Sequence, residues 1–135
     1  MMITDLWNSI PISLSSLDEI KNVILGLTDN ADTAKKAVLV CDEILTNIVL
    51  YSGAQNAEYF CIRSDGYIVI GFRDDGVPFD PTSYQANEKD PFDFDIGGMG
   101  LVMTAQTVSE WEYRREDDRN VLVMKLKHIG EESEE

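Results

Sequence analysis

The chain has 135 residues, 44% hydrophobic and 27% charged, enough for one domain with a genuine core and no staples. Its 25 acidic residues against 11 basic ones leave a net charge of −14. That balance argues against nucleic acid, whose binding depends on neutralising phosphates with Lys and Arg, and leaves room for a basic protein partner or for an anion that carries a metal ion. Cys41, Cys61 and the single His128 lack metal-ligand spacing, so neither a zinc site nor a Cys–His nucleophile is expected. A reduced, cytoplasmic chain is the expectation, with no signal peptide or continuous apolar span pointing to secretion or a membrane.

Residues 3–12 hold a short apolar segment closed by "PISLSS", expected as an edge strand. Ser16 stands as an N-cap, and Glu19 completes a capping box before "IKNVILGL". Beyond "TDNAD", Asp32 can cap a longer helix from Thr33 to Ser52, which Gly53 ends. Its buried stripe is Ala37, Val38, Cys41, Ile44, Leu45, Ile48 and Val49. "AEYFCIRS" and "YIVIGFRD" are strand runs joined by Asp65-Gly66, a strong hairpin signal. Residues 77–97, rich in Pro, Asp, Phe and Gly, form a long loop of the functional or disordered kind. "GMGLVMTAQTV" predicts a short helix opened by glycines, and "EWEYRR" and "NVLVMKLKH" are strands around the "EDDRN" turn. One domain is expected over 1–130, followed by a disordered acidic tail at 131–135. The order β-α-α-β-β-loop-α-β-β implies an α+β two-layer sandwich, its antiparallel or mixed sheet covered by helices on one face.

Three stretches carry chemistry. On the long helix, Glu43, Asn47 and Tyr51 recur every fourth residue, within an arc of about 80° beside the apolar stripe. Such spacing also describes an ordinary solvated face. Placed at the edge of a cavity, however, a carboxylate and an amide oxygen suit magnesium or its waters, and a carboxylate near a triphosphate can act as a base. In "RDDGVPFD", strand alternation puts Ile68, Ile70, Phe72 and Asp74 on the packed face and Arg73 on the other. Asp74 then needs a donor, for which an adenine amino group serves; an acid that merely ends a strand before a turn is the plainer alternative. In "GGMGLVM", glycines ahead of a helix let backbone N–H groups approach phosphate, although Gly-rich turns are common.

Glu-x-x-x-Asn on a long helix, Asp-x-Gly-x-Pro after a hairpin, a loop, and then Gly-Gly-x-Gly-Leu together resemble the GHKL ATPase superfamily with its Bergerat fold. The nearest likeness is to the bacterial anti-sigma factor/serine-protein kinase family, and it runs over nearly the whole chain. The resemblance implies Glu43 as general base, Asn47 as magnesium ligand and Asp74 as the adenine-recognising aspartate. It implies that Gly76 permits close approach to the base, that Gly98 and Gly100 are the phosphate-contacting glycines of the lid, and that Leu101, which closes the motif, is among the nucleotide-binding residues. Residues 79–96 match a mobile lid, and Tyr51 falls at a less strictly defined pocket position. One departure is plain. Some kinases of the family carry an arginine just before the second glycine motif, whereas here the stretch is "DFDIGG" and Lys89 is the basic lid residue.

The expectation is thus a cytoplasmic kinase that binds ATP and Mg2+, phosphorylates a serine or threonine of an anti-anti-sigma (STAS-domain) protein, and alternately sequesters a sigma factor. Homodimers occur in the family, and the short first strand could pair across such an interface. An ATP-gated binding module without transfer is the alternative favoured by the missing arginine. The catalytic fragment of a sensor histidine kinase is a third, disfavoured because no upstream helical segment with a phospho-accepting histidine is present.

Overall fold

The structure is a computed structural model that describes residues 6–83 and 98–128. Five strands, β1 (Asn8–Ile10), β2 (Ala57–Ser64), β3 (Tyr67–Asp74), β4 (Glu110–Glu116) and β5 (Arg119–Lys127), form one sheet in the order β1-β2-β3-β5-β4. Every pairing is antiparallel, which resolves the mixed-or-antiparallel expectation. Helices α1 (Ser16–Leu27), α2 (Ala31–Tyr51) and α3 (Gly98–Thr107) complete an α+β fold. No helix among the described residues is long and apolar enough to cross a membrane.

Both hairpins turn in two residues with positive φ: Asp65 and Gly66 at 52° and 82°, Asp117 and Asp118 at 55° and 60°. These are the conformations whose twist matches the flanking strands. The turns set a register in which the inward residues line up across the sheet. Tyr59, Phe72, Leu122 and Tyr113 make one row, and Cys61, Ile70, Met124 and Trp111 the next. Ile20 and Ile24 of α1, Ala37, Cys41, Ile44, Leu45 and Ile48 of α2, and Leu101 of α3 close over them in a single core. Val38 and Val49 of the expected stripe are only partly buried, and Val40 takes a buried place that the stripe did not include. On the opposite face Arg73 pairs with Glu58 at 2.6 Å and lies 4.4 Å from the Trp7 ring centroid.

Two helix starts differ from expectation. Asn30, not Asp32, caps α2, accepting from Thr33 N at 2.8 Å; Asp32 sits in the first turn and pairs with Lys36. The helix begins earlier because the side chain that reaches the N3 amide is Asn30. Nor is there a capping box on α1. The turn over residues 13–18 already satisfies its first N–H groups through backbone carbonyls, Ser16 Oγ donates to Pro11 O, and Glu19 accepts from Tyr59 Oη at 2.9 Å.

The α2–β2 connection is held by Asp75, which accepts from the N–H groups of Gln55 and Asn56 and from Asn56 Nδ2, at 2.8–3.0 Å. These bonds, led by that from the Asn56 side chain, lower its carboxyl to about 2. A depressed folded value means that the contribution is present above the ordinary carboxylate value and is lost as pH falls toward 2. The melting-temperature difference between the native chain and Asp75→Ala should therefore be full at pH 6 and shrink steadily below pH 4. A difference that does not change between these pH values would contradict the assignment.

Candidate functional site

The register carries one more inward row, at the end of the sheet where the strands stop being apolar. Ala57, Asp74, Asn120 and Arg115 are successive cross-strand neighbours there. Beside this row α2, the end of β3 and the segment after it enclose a cavity of about 160 Å3, with Ile48, Phe72 and Leu122 in its apolar wall. Asn47, Asp74, Asn120, Tyr113 and Tyr51 bring polar atoms to it, while Val77 and Phe79 line it from the loop.

Asp74 is buried, as strand alternation requires. Its Oδ1 accepts from Gly76 N at 2.8 Å and from Asn120 Nδ2 at 3.2 Å. Its Oδ2 receives no hydrogen bond from any described residue. Burial pushes the Asp74 carboxyl up; the bonds from Gly76 and Asn120 oppose that shift, as does the Arg115 guanidinium, while Asp75 adds to it. The arrangement is an acceptor set in an apolar wall, which favours a ligand that brings its own donor.

Asn47 is half-buried on α2, and its Nδ2 donates to Glu43 O at 2.8 Å and to Glu43 Oε2 at 2.7 Å. Those two acceptors orient the amide, so Oδ1 is the atom left to accept or to ligate. Burial raises the Glu43 carboxyl, the Asn47 bond lowers it, and Asp42 raises it further. Glu43 and Asn47 therefore form one unit, with Asn47 at the cavity and Glu43 one helical turn away from it.

The glycines have more specific tasks than the resemblance implies. A Cβ on Gly100 would run into the Glu43 carboxylate, so the start of α3 rests directly against that acid. Gly76 permits a close approach to Ser52, whose Cβ and carbonyl oxygen would both lie 2.6 Å from an added Cβ. Val77 N then donates to Ser52 O at 2.9 Å, which pins the loop to the end of α2. Gly98 opens α3, as expected. Leu101 is fully buried and turned into the core rather than toward the cavity, because α3 needs an apolar anchor on α2. Of the expected lid, residues 79–83 are described and end in a short 3-10 turn; residues 84–96, with Lys89, lie outside the described residues.

Sequence reading does not single out Asn120, Tyr113, Arg115 or Ser52. Tyr113 Oη donates to Asn120 Oδ1 at 2.6 Å, and Arg115 Nη1 donates to Gly76 O at 2.9 Å. The available signal was an asparagine at the first inward position of "NVLVMKLK", whose other inward residues, Leu122, Met124 and Leu126, are apolar. Among the described residues no group of three or more His, Cys, Asp or Glu could hold a metal ion. A cation here would be held by Asn47 Oδ1 together with oxygens of a ligand, the arrangement usual for magnesium on phosphates.

The family model described as the histidine kinase-like ATPase domain matches residues 17–126, from the first turn of α1 to the end of β5. No curated protein matches the chain.

Proposed function

The chain belongs to the histidine kinase-like ATPase domain family, a GHKL-type ATP-binding module, and on that premise we propose that it is an anti-sigma regulatory factor. In this reading it binds ATP with Mg2+ in the cavity beside α2 and phosphorylates a serine or threonine of a STAS-domain partner. One observation carries the nucleotide part of the reading. Asp74 offers, at the wall of an apolar cavity, a carboxylate oxygen to which no described residue donates, and a flat base with an exocyclic amino group would supply that donor.

The other roles follow along α2. Asn47 Oδ1 would hold magnesium, whose charge offsets that of the phosphates. Glu43, one helical turn from Asn47 and bonded to it, takes the proton from the incoming hydroxyl. Gly100 keeps the start of α3 close to that acid, so its N-terminal dipole lies near the place where phosphate charge collects. The strong negative charge suits a sigma factor, whose DNA-binding surfaces are basic.

A second reading, an ATP-gated binding module without transfer, is favoured by the cavity's lining, which contains neither lysine nor arginine among the described residues. Phosphoryl transfer relies on positive charge at the transferred group. Incubation with labelled ATP–Mg and a STAS-domain protein separates the two. The kinase reading expects label on a serine or threonine of the partner. ATP bound without label on any partner would replace it with the binding module.

A further inference from the structure

Asn120 spends every polar atom of its side chain within the site. Nδ2 donates to Asp74 Oδ1 at 3.2 Å and to Val77 O at 2.8 Å. Oδ1 accepts from Tyr113 Oη at 2.6 Å and from Phe79 N at 3.1 Å. Two donors and two acceptor sites are all that a primary amide has, so the group is saturated and its orientation is fixed. A flipped amide would aim N–H groups at the Phe79 N–H and leave Asp74 facing an oxygen. Asn120 is also the direct cross-strand neighbour of Asp74, so the contact is set by sheet register rather than by a flexible reach.

The consequence falls on Asp74. With Asn120 and Gly76 both on Oδ1, the carboxylate cannot turn without breaking two buried hydrogen bonds, and Oδ2, to which no described residue donates, is the oxygen that faces a ligand. The same amide ties the backbone of Val77 and Phe79, two cavity-lining residues, to that choice. We propose that Asn120 is the positioning residue for base recognition: by holding Asp74 Oδ1 and the Val77–Phe79 wall at once, it aims Asp74 Oδ2 at the exocyclic amino group of adenine. The proposal rests on the ATP reading above. It differs from a role in stability alone, because a brace for the loop would support any nucleotide equally, whereas a residue acting through Asp74 supports the amino group in particular.

The test compares ATP with purine riboside triphosphate, which lacks the 6-amino group, by calorimetry on the whole chain with Mg2+. The native protein should prefer ATP by about tenfold or more, the worth of one hydrogen bond to a charged group. Asn120→Ala should reduce that preference to about threefold or less by weakening ATP, with the analogue's affinity little changed. Equal weakening of both ligands, with the preference intact, would overturn the proposal and leave Asn120 as a loop brace. Should Asn120→Ala not fold, the native protein decides. The Asn120 side-chain amide resonances should shift with ATP and much less with the analogue, and equal shifts would overturn it. Native protein that binds neither ligand would defeat the ATP reading itself, a failure distinct from a native preference for ATP that Asn120→Ala leaves unchanged.

Discussion

Replacing Glu43 with alanine should slow phosphoryl transfer to the STAS partner by about 10²–10⁴-fold, the usual worth of a positioned general base. ATP affinity should stay near that of the native chain, because Glu43 does not line the cavity and Asn47 keeps its second anchor on the Glu43 carbonyl oxygen. Glu43→Gln should behave the same way, since it preserves the fit against Gly100 while removing the base. Asn47→Ala should have the opposite profile, with magnesium-dependent binding lost first. Single-turnover transfer and equilibrium binding, measured on the three variants, check the split. Unchanged transfer in both Glu43 variants would return Glu43 to the status of an ordinary helix-border residue.

How much of this was legible in the sequence depended on whether the deciding contacts were local. The two-residue turn at Asp65-Gly66 and the alternation from Ile68 to Asp74 are local, and the structure has both, with Asp74 buried and Arg73 on the outer face. The long helix and its Glu43–Asn47 spacing were legible for the same reason, since residues four apart on a helix must meet. The caps were less so: several hydrogen-bonding residues crowd "TDNAD", and only the backbone path selects Asn30 over Asp32. Asn120 was out of reach altogether. It lies 46 residues from Asp74, and the pairing of β3 with β5 brings them together across the whole of α3 and β4. The tasks of Gly76 and Gly100 were half legible. A glycine signals close approach, but that the neighbours are Ser52 and Glu43 is a tertiary fact.

Asp74→Ala should weaken ATP binding by roughly 10- to 100-fold, because it removes a hydrogen bond to a charged acceptor in an apolar wall. The fold should survive, since the same substitution relieves a buried carboxylate whose ionisation burial already disfavours. Asn120 and Gly76 would lose one acceptor each, and Asn120 would keep Val77 O. Asp74→Asn, which can offer a donor as well as an acceptor, should erode discrimination between bases more than it erodes total affinity. Guanine presents a carbonyl where adenine presents the amino group, so the native carboxylate should repel one and accept from the other. The most direct measurement is therefore a calorimetric titration of the native chain with ATP–Mg and with GTP–Mg, repeated on Asp74→Ala. The account predicts tight, saturable binding of ATP, poor binding of GTP, and loss of most of that difference in the variant; equal affinities for the two nucleotides, or an Asp74→Ala chain that binds ATP as the native does, would contradict it.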